Sequence, residues 1–339
     1  MGFDNMNQKA SYFTLGFLIG GLCATLALSC WIHSGGNSHR KVLKLAHGLE
    51  TTHPVHIGME FMKKRLEELS GGKLSVDIYS GGALGSEIKC LEQLKNGSLD
   101  MTKASCAQIG TFVPQMHALC MPYVFRDSGH YWRVLDSDLG RNFLGFMRRD
   151  GLMGLCFYDA GARCFYTSKK QIHSPEDLRG MKIRVMNSRA DMDMISAFGA
   201  SPTPISAGET YTALAQGIVD GAENNLPTYY TSAHFEVAKN CTIDEHTSIP
   251  DVLIIGERSW NSLSESERKM LAQAADESSR FQRELWREKT GEAKKALLGK
   301  GVNFIEVDKS EFRKVAESIY RHYDGTDIGG LIKKIRGIE

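Results

Sequence analysis

Apolar and polar positions follow two different periods along the first part of the chain. Residues 41–50 (KVLKLAHGLE) are predicted to form a strand. Residues 54–72 place apolar side chains about every 3.6 residues, as an amphipathic helix ending at a glycine pair does. A second strand, a second helix ending near Gly97 and a third strand over DMTKAS follow. This β-α-β-α-β order predicts a mainly parallel sheet with helices on both faces.

A similar alternation returns after residue 150. Strand patterns flank a glycine-containing break in 151–168, a helix start lies at SPEDLRG, and MKIRVMNS is a further strand. A helix, a short extended piece (SPTPIS) and another helix running into a strand-like turn follow. Beyond about 255 the pattern is helical, and one long helix is predicted with Ser264 as its N-cap and Glu267 three residues later. The sequence therefore predicts two α/β lobes with a long helix crossing both.

The N-terminal stretch 12–32 (YFTLGFLIGGLCATLALSCWI) is almost purely apolar and is followed by the polar HSGGNSHRK. Its length suits a membrane-spanning helix, its position suits a signal peptide, and Cys30 after Ser29 loosely resembles a lipoprotein cleavage site. A buried core helix is less favoured, because a flexible Gly/Ser stretch follows. The three favoured alternatives all predict that residues from about 40 onward work outside the cytoplasmic membrane.

Charge and cysteine content exclude some classes of function. Lys+Arg 41 and Asp+Glu 40 give a net charge of +1, which provides no electrostatic footprint for nucleic acid. No cysteine belongs to a CxxC pair, so neither a zinc site nor a thioredoxin-like site is predicted. Buried free thiols are favoured over disulfides, with Cys156–Cys164 as the first pairing to check. The cysteines beyond the leader are Cys90, Cys106, Cys120, Cys156, Cys164 and Cys241.

Arg184 is a charged residue in a strand that should be buried, between Ile183 and Val185. Ligands of α/β sheets bind outside the carboxyl ends of the strands, and Arg184 lies near such an end. The guanidinium group is suited to bidentate capture of a carboxylate. The alternative is an arginine on the wet face of a half-exposed strand.

Three more polar residues occupy comparable positions. Arg163 lies beside the glycine-containing break, Lys103 interrupts an apolar alternation, and Asn224 lies at a turn after a helix. A solvated strand end, a snorkelling lysine and a turn asparagine are the plain alternatives. Taken together, four such residues predict a binding cleft more strongly than any one of them does.

The segment MKIRVMNS…FGASPTPISAGETYTALAQGIVDGAEN resembles the extracytoplasmic solute receptors of TRAP transporters. The likeness extends through GGKLSVDIYSGGALGSE, LEQLKNGSLDM, MPYVFRD and HFEVAKN, and covers about 41–339. It implies an α/β, two-lobed periplasmic-binding-protein-like fold with a cleft between the lobes and a long helix spanning both. The implied division is 1–40 for leader and linker, 41–160 with 249–288 for lobe one, and 161–248 with 289–339 for lobe two.

The same resemblance implies roles for individual residues. Arg184 matches the arginine that grips the ligand carboxylate, and Asn224 matches an asparagine that helps to orient it. Arg163 matches a second arginine of many sialate- and uronate-binding members. Glu87 falls where those members place an acid that accepts hydrogen bonds from hydroxyls. No metal and no cofactor are expected, and the membrane subunits of a TRAP transporter are the expected partner.

The ligand is expected to be a hexuronate such as glucuronate or galacturonate. AH at 46–47, HPVH at 53–56, DMTK at 100–103, FYDAGAR at 157–163 and DEHT at 244–247 resemble the subgroup associated with hexuronates. Lys103 is a further expected contact, and His47 is another, unless it is a structural histidine. Ser105 stands where sialate binders carry a glutamate and so disfavours sialate. A C4-dicarboxylate or a small keto or hydroxy acid is the alternative ligand.

Two other functions fit parts of the sequence. The cysteines, histidines and Glu87 could furnish a Cys–His hydrolase, but no cysteine lies in a recognisable nucleophile motif. Retention of the N-terminal helix would make the receptor a membrane-tethered sensor module. The hydrolase accounts for the motifs less well than solute capture does, and the tethered module stays open as an alternative.

Overall fold

The computed structural model describes residues 40–339, and the apolar stretch 12–32 lies outside them. No helix in 40–339 is both long enough and apolar enough to cross a membrane. The strands are β1 Lys41–Ala46, β2 Leu74–Tyr79, β3 Met101–Ser105, β4 Leu152–Tyr158, β5 Arg163–Thr167, β6 Lys182–Val185, β7 Ser201–Pro204, β8 Gly221–Asn224, β9 Asn240–Thr247, β10 Asp251–Gly256 and β11 Asn303–Glu306.

Helices fill most of the intervals between these strands. They are α1 Pro54–Ser70, α2 Glu87–Asn96, α3 Cys106–Ile109, α4 Ser128–Asp136, α5 Asp138–Phe146, α6 Arg189–Ala197, α7 Thr210–Ala215, α8 Leu226–Thr231, α9 Glu257–Ser262, α10 Glu265–Gly299, α11 Lys309–Arg321 and α12 Asp327–Arg336. The predicted helix at SPEDLRG is a single 3-10 turn, Pro175–Leu178, which begins with a capping box between Ser174 and Asp177.

The strands form two sheets, with orders β2-β1-β3-β10-β4 and β11-β9-β5-β8-β6-β7. In each sheet one strand runs antiparallel to both its neighbours: β10 in the first and β5 in the second. Both are the first strand that the chain makes after it leaves the other sheet, through residues 159–162 or 248–250. The parallel arrangement predicted from the sequence is therefore interrupted once in each sheet. A strand that follows directly from one of these short crossing segments starts where the parallel strands end, whereas β11 follows the long helix and is parallel to β9.

The long helix α10 joins the two halves of the molecule, as predicted. Leu271 and Trp286 pack in the core of the first sheet, and Leu297 packs in the core of the second. The predicted N-cap is confirmed, because Ser264 and Glu267 form a capping box. Gln282 accepts from Asp159 N and donates to Asp159 O, both at 2.8 Å, and so holds the first crossing segment against this helix.

Two further features bear on the sequence predictions. All six cysteines of the described chain are buried and free, which confirms the expectation of free thiols. Cys156 packs with the first sheet and Cys164 with the second, and they are not bridged. The last helix, α12, contacts residues predicted for lobe one, because His130 Nε2 donates to Ile335 O at 3.0 Å. The lobe limits 41–160 with 249–288 and 161–248 with 289–339 stay predictions.

Candidate ligand-binding cleft

A cavity of about 650 Å³ lies between the two sheets and is lined from both sides. The first sheet contributes the ends of β3 and β10 and the glycine-rich loop Gly81–Gly85 that leads into α2. The second contributes the ends of β5, β6 and β8 and the segment after β7. Its polar lining residues include His53, Glu87, Lys103, Ser105, Gln108, Arg163, Arg184, Asn187, Ser206, Asn224, Asn225, Thr228 and Asp251.

Arg184 reaches the cleft from the carboxyl end of β6 and is only 2 % exposed. Nε and Nη2 donate to Ile205 O at 2.9 and 2.6 Å, which fixes the guanidinium plane and leaves Nη1 and one N–H of Nη2 for a ligand. Within residues 40–339, Arg184 makes no ion pair with a carboxylate. Burial lowers its pKa. A buried cation without a counter-charge is costly, and a ligand carboxylate would supply that charge.

Arg163 starts β5 and is already paired inside the protein. Nε and Nη2 bind the carboxylate of Glu223 at 2.5 and 2.8 Å, and Nη1 donates to Asn224 Oδ1 at 2.8 Å. Asn224 Oδ1 also accepts from Asn225 N, so its amide NH₂ is the part that can donate to a ligand. The predicted residues Arg163, Arg184 and Asn224 thus lie together in one wall, but only Arg184 carries unbalanced charge.

Behind this wall, His246 lies between two acids. Its Nδ1 is 2.7 Å from Asp244 Oδ2, and its Nε2 is 3.5 Å from Glu223 Oε2. Burial opposes the charged form, but the two acids outweigh it and raise the pKa of His246 to about 9. The histidine is therefore a cation at neutral pH, and it shares Glu223 with Arg163.

We expect His246 to make stability depend on pH. Because its folded-state pKa is raised, its contribution is complete below the unfolded value of about 6.5 and disappears as pH rises through about 9. Urea unfolding measures the free energy of unfolding at pH 6.5 and at pH 9.5. Between these two pH values the parent should lose on the order of 2 kcal/mol more than His246→Gln does. The exposed His322 provides the matched control, and His322→Gln should behave like the parent. Equal losses in parent and His246→Gln would contradict this assignment.

The opposite wall holds a buried lysine between two acids. Lys103 is 3 % exposed, and its Nζ lies 2.6 Å from Glu87 Oε1 and 3.2 Å from Asp251 Oδ2. Glu87 Oε2 also accepts from Ser105 N at 3.1 Å. Burial raises the pKa of Asp251, although Lys103 opposes that shift. The predicted Glu87 and Lys103 are thus a single unit with a third member, Asp251.

His47 is not among the residues that line the cavity, and its contacts are those of the predicted alternative, a structural histidine. Its Nδ1 accepts from Leu49 N at 3.1 Å, so Nε2 carries the proton and donates to His56 Nδ1 at 3.0 Å. Both ring nitrogens are used inside the protein, and burial lowers the pKa of His47 to about 3. This residue is a neutral structural histidine that supports the wall behind Leu49.

The lining residues that sequence reasoning did not single out include His53, Gln108 and Asp251. His53 caps α1, and its Nε2 donates to Thr228 Oγ1 at 3.1 Å, across the cleft. Gln108 is buried, and its Oε1 has no hydrogen-bond partner among the described residues. Asp251 precedes the apolar run VLII, so it carried the same signal as Arg184, a charge beside a buried strand.

A two-lobed molecule with an unbalanced buried cation in the cleft between its sheets has the geometry of a receptor for an organic anion. The sequence model of the family described as "Bacterial extracellular solute-binding protein, family 7" matches residues 45–326. A solute-binding protein of Chromohalobacter salexigens is 33 % identical over 273 residues, covering 80 % of this chain and 81 % of that protein.

Two solved structures are similar over nearly the whole described chain. The TRAP periplasmic solute-binding protein of Bradyrhizobium sp. BTAi1, in complex with α/β-D-galacturonate, has a TM-score of 0.85 and 41 % identity, covering 87 % of this chain and 99 % of that one. The one from Pseudomonas putida F1, with bound D-glucuronate, has a TM-score of 0.85 and 33 % identity, covering 88 % and 97 %. The chain belongs to the family of bacterial extracellular solute-binding proteins, family 7, and is a TRAP-type solute receptor.

Proposed function

We propose that this protein captures a hexuronate, D-galacturonate or D-glucuronate, and delivers it to the membrane subunits of a TRAP transporter. The observation that best supports this proposal is the state of Arg184, whose guanidinium group is buried, fixed and without a carboxylate partner among residues 40–339. Sugar hydroxyls would find acceptors and donors in Glu87, Lys103 and Asn224 around the same cavity. A cleft of about 650 Å³ lies within the range of roughly 300–1,000 Å³ usual for small-molecule sites.

The uronate assignment also rests on the relatives. Both solved structures described above hold uronates, and the present chain matches each of them over more than four fifths of its length. A binding site whose polar groups form hydrogen bonds with a ligand hydroxyl rejects analogues that lack this hydroxyl, because the polar groups of the site are then left unpaired. The buried triad at Lys103 is suited to such selection.

Calorimetric titration of the purified receptor with D-galacturonate and D-glucuronate tests the proposal. We expect saturable binding of at least one, accompanied by an increase in melting temperature, because a ligand that binds only the folded state stabilises it by mass action. Small-angle scattering should show a smaller radius of gyration with ligand if the lobes close by a hinge motion. Lack of binding of both uronates at millimolar concentration would exclude the assignment.

Two further parts of the proposal are that the receptor is exported and that it does not convert its ligand. We propose that the stretch 12–32 directs export and is either removed or kept as an anchor, with residues from about 40 facing the periplasm. Mass spectrometry of the mature N-terminus distinguishes cleaved, lipidated and tethered forms. Incubation with each uronate should return the ligand unchanged, and formation of a product would instead favour an enzyme.

A further inference from the structure

Five charged residues line the cleft: Glu87, Lys103, Arg163, Arg184 and Asp251. Arg163 is balanced by Glu223, which lies behind it and binds it in a bidentate manner. The remaining charges are unequally distributed between the two walls. The second sheet presents Arg184 with no carboxylate partner in the described chain, and the first presents two acids around one lysine.

A further acid, Asp191, lies buried near the arginines but outside the lining of the cleft. Neither of its carboxylate oxygens has a hydrogen-bond partner among the described residues, and it makes no ion pair with Arg184. Burial raises the pKa of Asp191 to about 7, with Glu223 adding to the shift and Arg163 and Arg184 opposing it. Among the described residues, Arg184 therefore has no carboxylate within ion-pair distance, and two of its N–H groups are held on Ile205 O.

We infer that the acids around Lys103 make this cleft selective for ligands with a single carboxylate, with Asp251 as a specificity-determining residue. The inference rests on the proposed function as a sugar-acid receptor and narrows its ligand class to monocarboxylates. The ligand carboxylate meets Arg184 on one wall, and its neutral hydroxyl end meets Glu87 and Asp251 on the other. A dicarboxylate of the same carbon number would place its second charge against that acidic wall.

The physical basis is the difference between a hydroxyl and a carboxylate in a buried acidic environment. A hydroxyl can donate a hydrogen bond to a carboxylate oxygen, whereas an ionised carboxyl group is an acceptor only. Lys103 cannot compensate for a second ligand charge, because two acids already bind its ammonium group. Like charges brought together at an interface repel each other, and burial of an unpaired charge adds to the cost of that repulsion.

Two matched pairs of acids test the inference by calorimetry at pH 7.5. D-galacturonate and galactarate share the configuration of C2–C5, but oxidation of C1 to a carboxylate also opens the sugar ring, so the variants below separate the effect of charge from that of shape. D-erythronate and meso-tartrate differ only at C4, where a hydroxymethyl group is replaced by a carboxylate. In each pair that binds, we expect the monocarboxylate to bind at least ~100-fold more tightly than the dicarboxylate.

Two variants locate the source of the selectivity. Asp251→Asn keeps the shape and removes one acid, and it should reduce the ratio between the paired ligands by at least ~10-fold. Asp251 is the more deeply buried of the two acids, so its replacement carries the greater risk to folding. Glu87→Gln, at the more exposed acid, is therefore the second variant. The matched control is Asp100→Asn in the same lobe, whose carboxylate accepts from Lys44 N and Ser259 Oγ outside the cleft. It should leave the ratio unchanged.

The outcomes separate the inference from the proposed function. Selective binding of galacturonate, relaxed in either variant, supports both. Galactarate binding within threefold of galacturonate overturns the charge selectivity and leaves the uronate assignment intact. If both uronates fail but erythronate binds and tartrate does not, the selectivity stands and the uronate assignment fails. Selectivity that survives in both variants overturns the role of these acids, and no binding of any of the acids overturns both ideas.

Discussion

Replacement of Arg184 by alanine should weaken ligand binding by roughly two to three orders of magnitude. Removal of one partner of a buried charge pair typically costs ~2–5 kcal/mol, because the other charge stays desolvated, and each ~1.4 kcal/mol is a factor of ten. Arg184 is buried, and two of its N–H groups are fixed on Ile205 O, so its free edge is preorganised for a carboxylate. Calorimetric titration of the variant with the uronate that binds the parent more tightly measures the effect.

Arg184→Lys should not restore full affinity, because an ammonium group cannot provide the planar fork of donors. Arg141→Ala is the control and should bind like the parent, since Arg141 is exposed on α5 and pairs only with its neighbour Asp138. A folded Arg184→Ala protein that binds within about threefold of the parent, a difference of ~0.7 kcal/mol, would show that Arg184 is not the carboxylate anchor.

Replacement of Lys103 by methionine should be the most destabilising of these changes, with a loss of roughly 3–5 kcal/mol in the free energy of unfolding at pH 7. Breaking a buried ion pair by removal of one partner leaves uncompensated charge, and here the remaining partners, Glu87 and Asp251, would repel each other. Methionine matches the length of the lysine stem, so the lost charge is the main change. Urea unfolding followed by circular dichroism measures the loss.

The loss in Lys103→Met should depend on pH in a defined direction. Without the lysine, burial and the Glu87 carboxylate raise the folded-state pKa of Asp251 with less opposition, so the variant is destabilised at neutral pH and recovers as pH falls towards about 5. Lys44→Met provides the control on the neighbouring strand β1, where the side chain is exposed, and should cost less than ~0.5 kcal/mol. A Lys103→Met cost that does not change between pH 7 and pH 5 would argue against the triad.

The local features of this protein were accessible from the sequence. The end of α2 at Gly97, in the left-handed conformation, and the start of α10 at the capping box of Ser264 and Glu267 depend on residues within a few positions of each other. Arg184 was found because a charge between two apolar residues of a short strand is a local signal. The family motifs then implied the two-lobed fold, which the structural relatives bear out.

The partners of the site residues could not be found in this way. Arg163 was predicted as a second arginine of the site and lines the cleft, but its pairing with Glu223, 60 residues further along, was not predicted. For His47 the sequence left open a ligand contact or a structural role, and the structure bonds its ring to His56 and to the backbone of Leu49. Such pairings follow from strand order and packing, which bring distant segments to the same place.

The sequence by itself determined the two α/β lobes, the long helix and the cation at the end of β6, because periodicity, capping and motif spacing act over short stretches of chain. Only the tertiary structure decided which charges are balanced. Asp251 enters the cleft because β10 runs antiparallel to β3, which places its first residue opposite Ser105, the last residue of β3. The rule that ligands bind at the carboxyl ends of strands could not find a residue at the amino end of a strand that arrives from the other lobe.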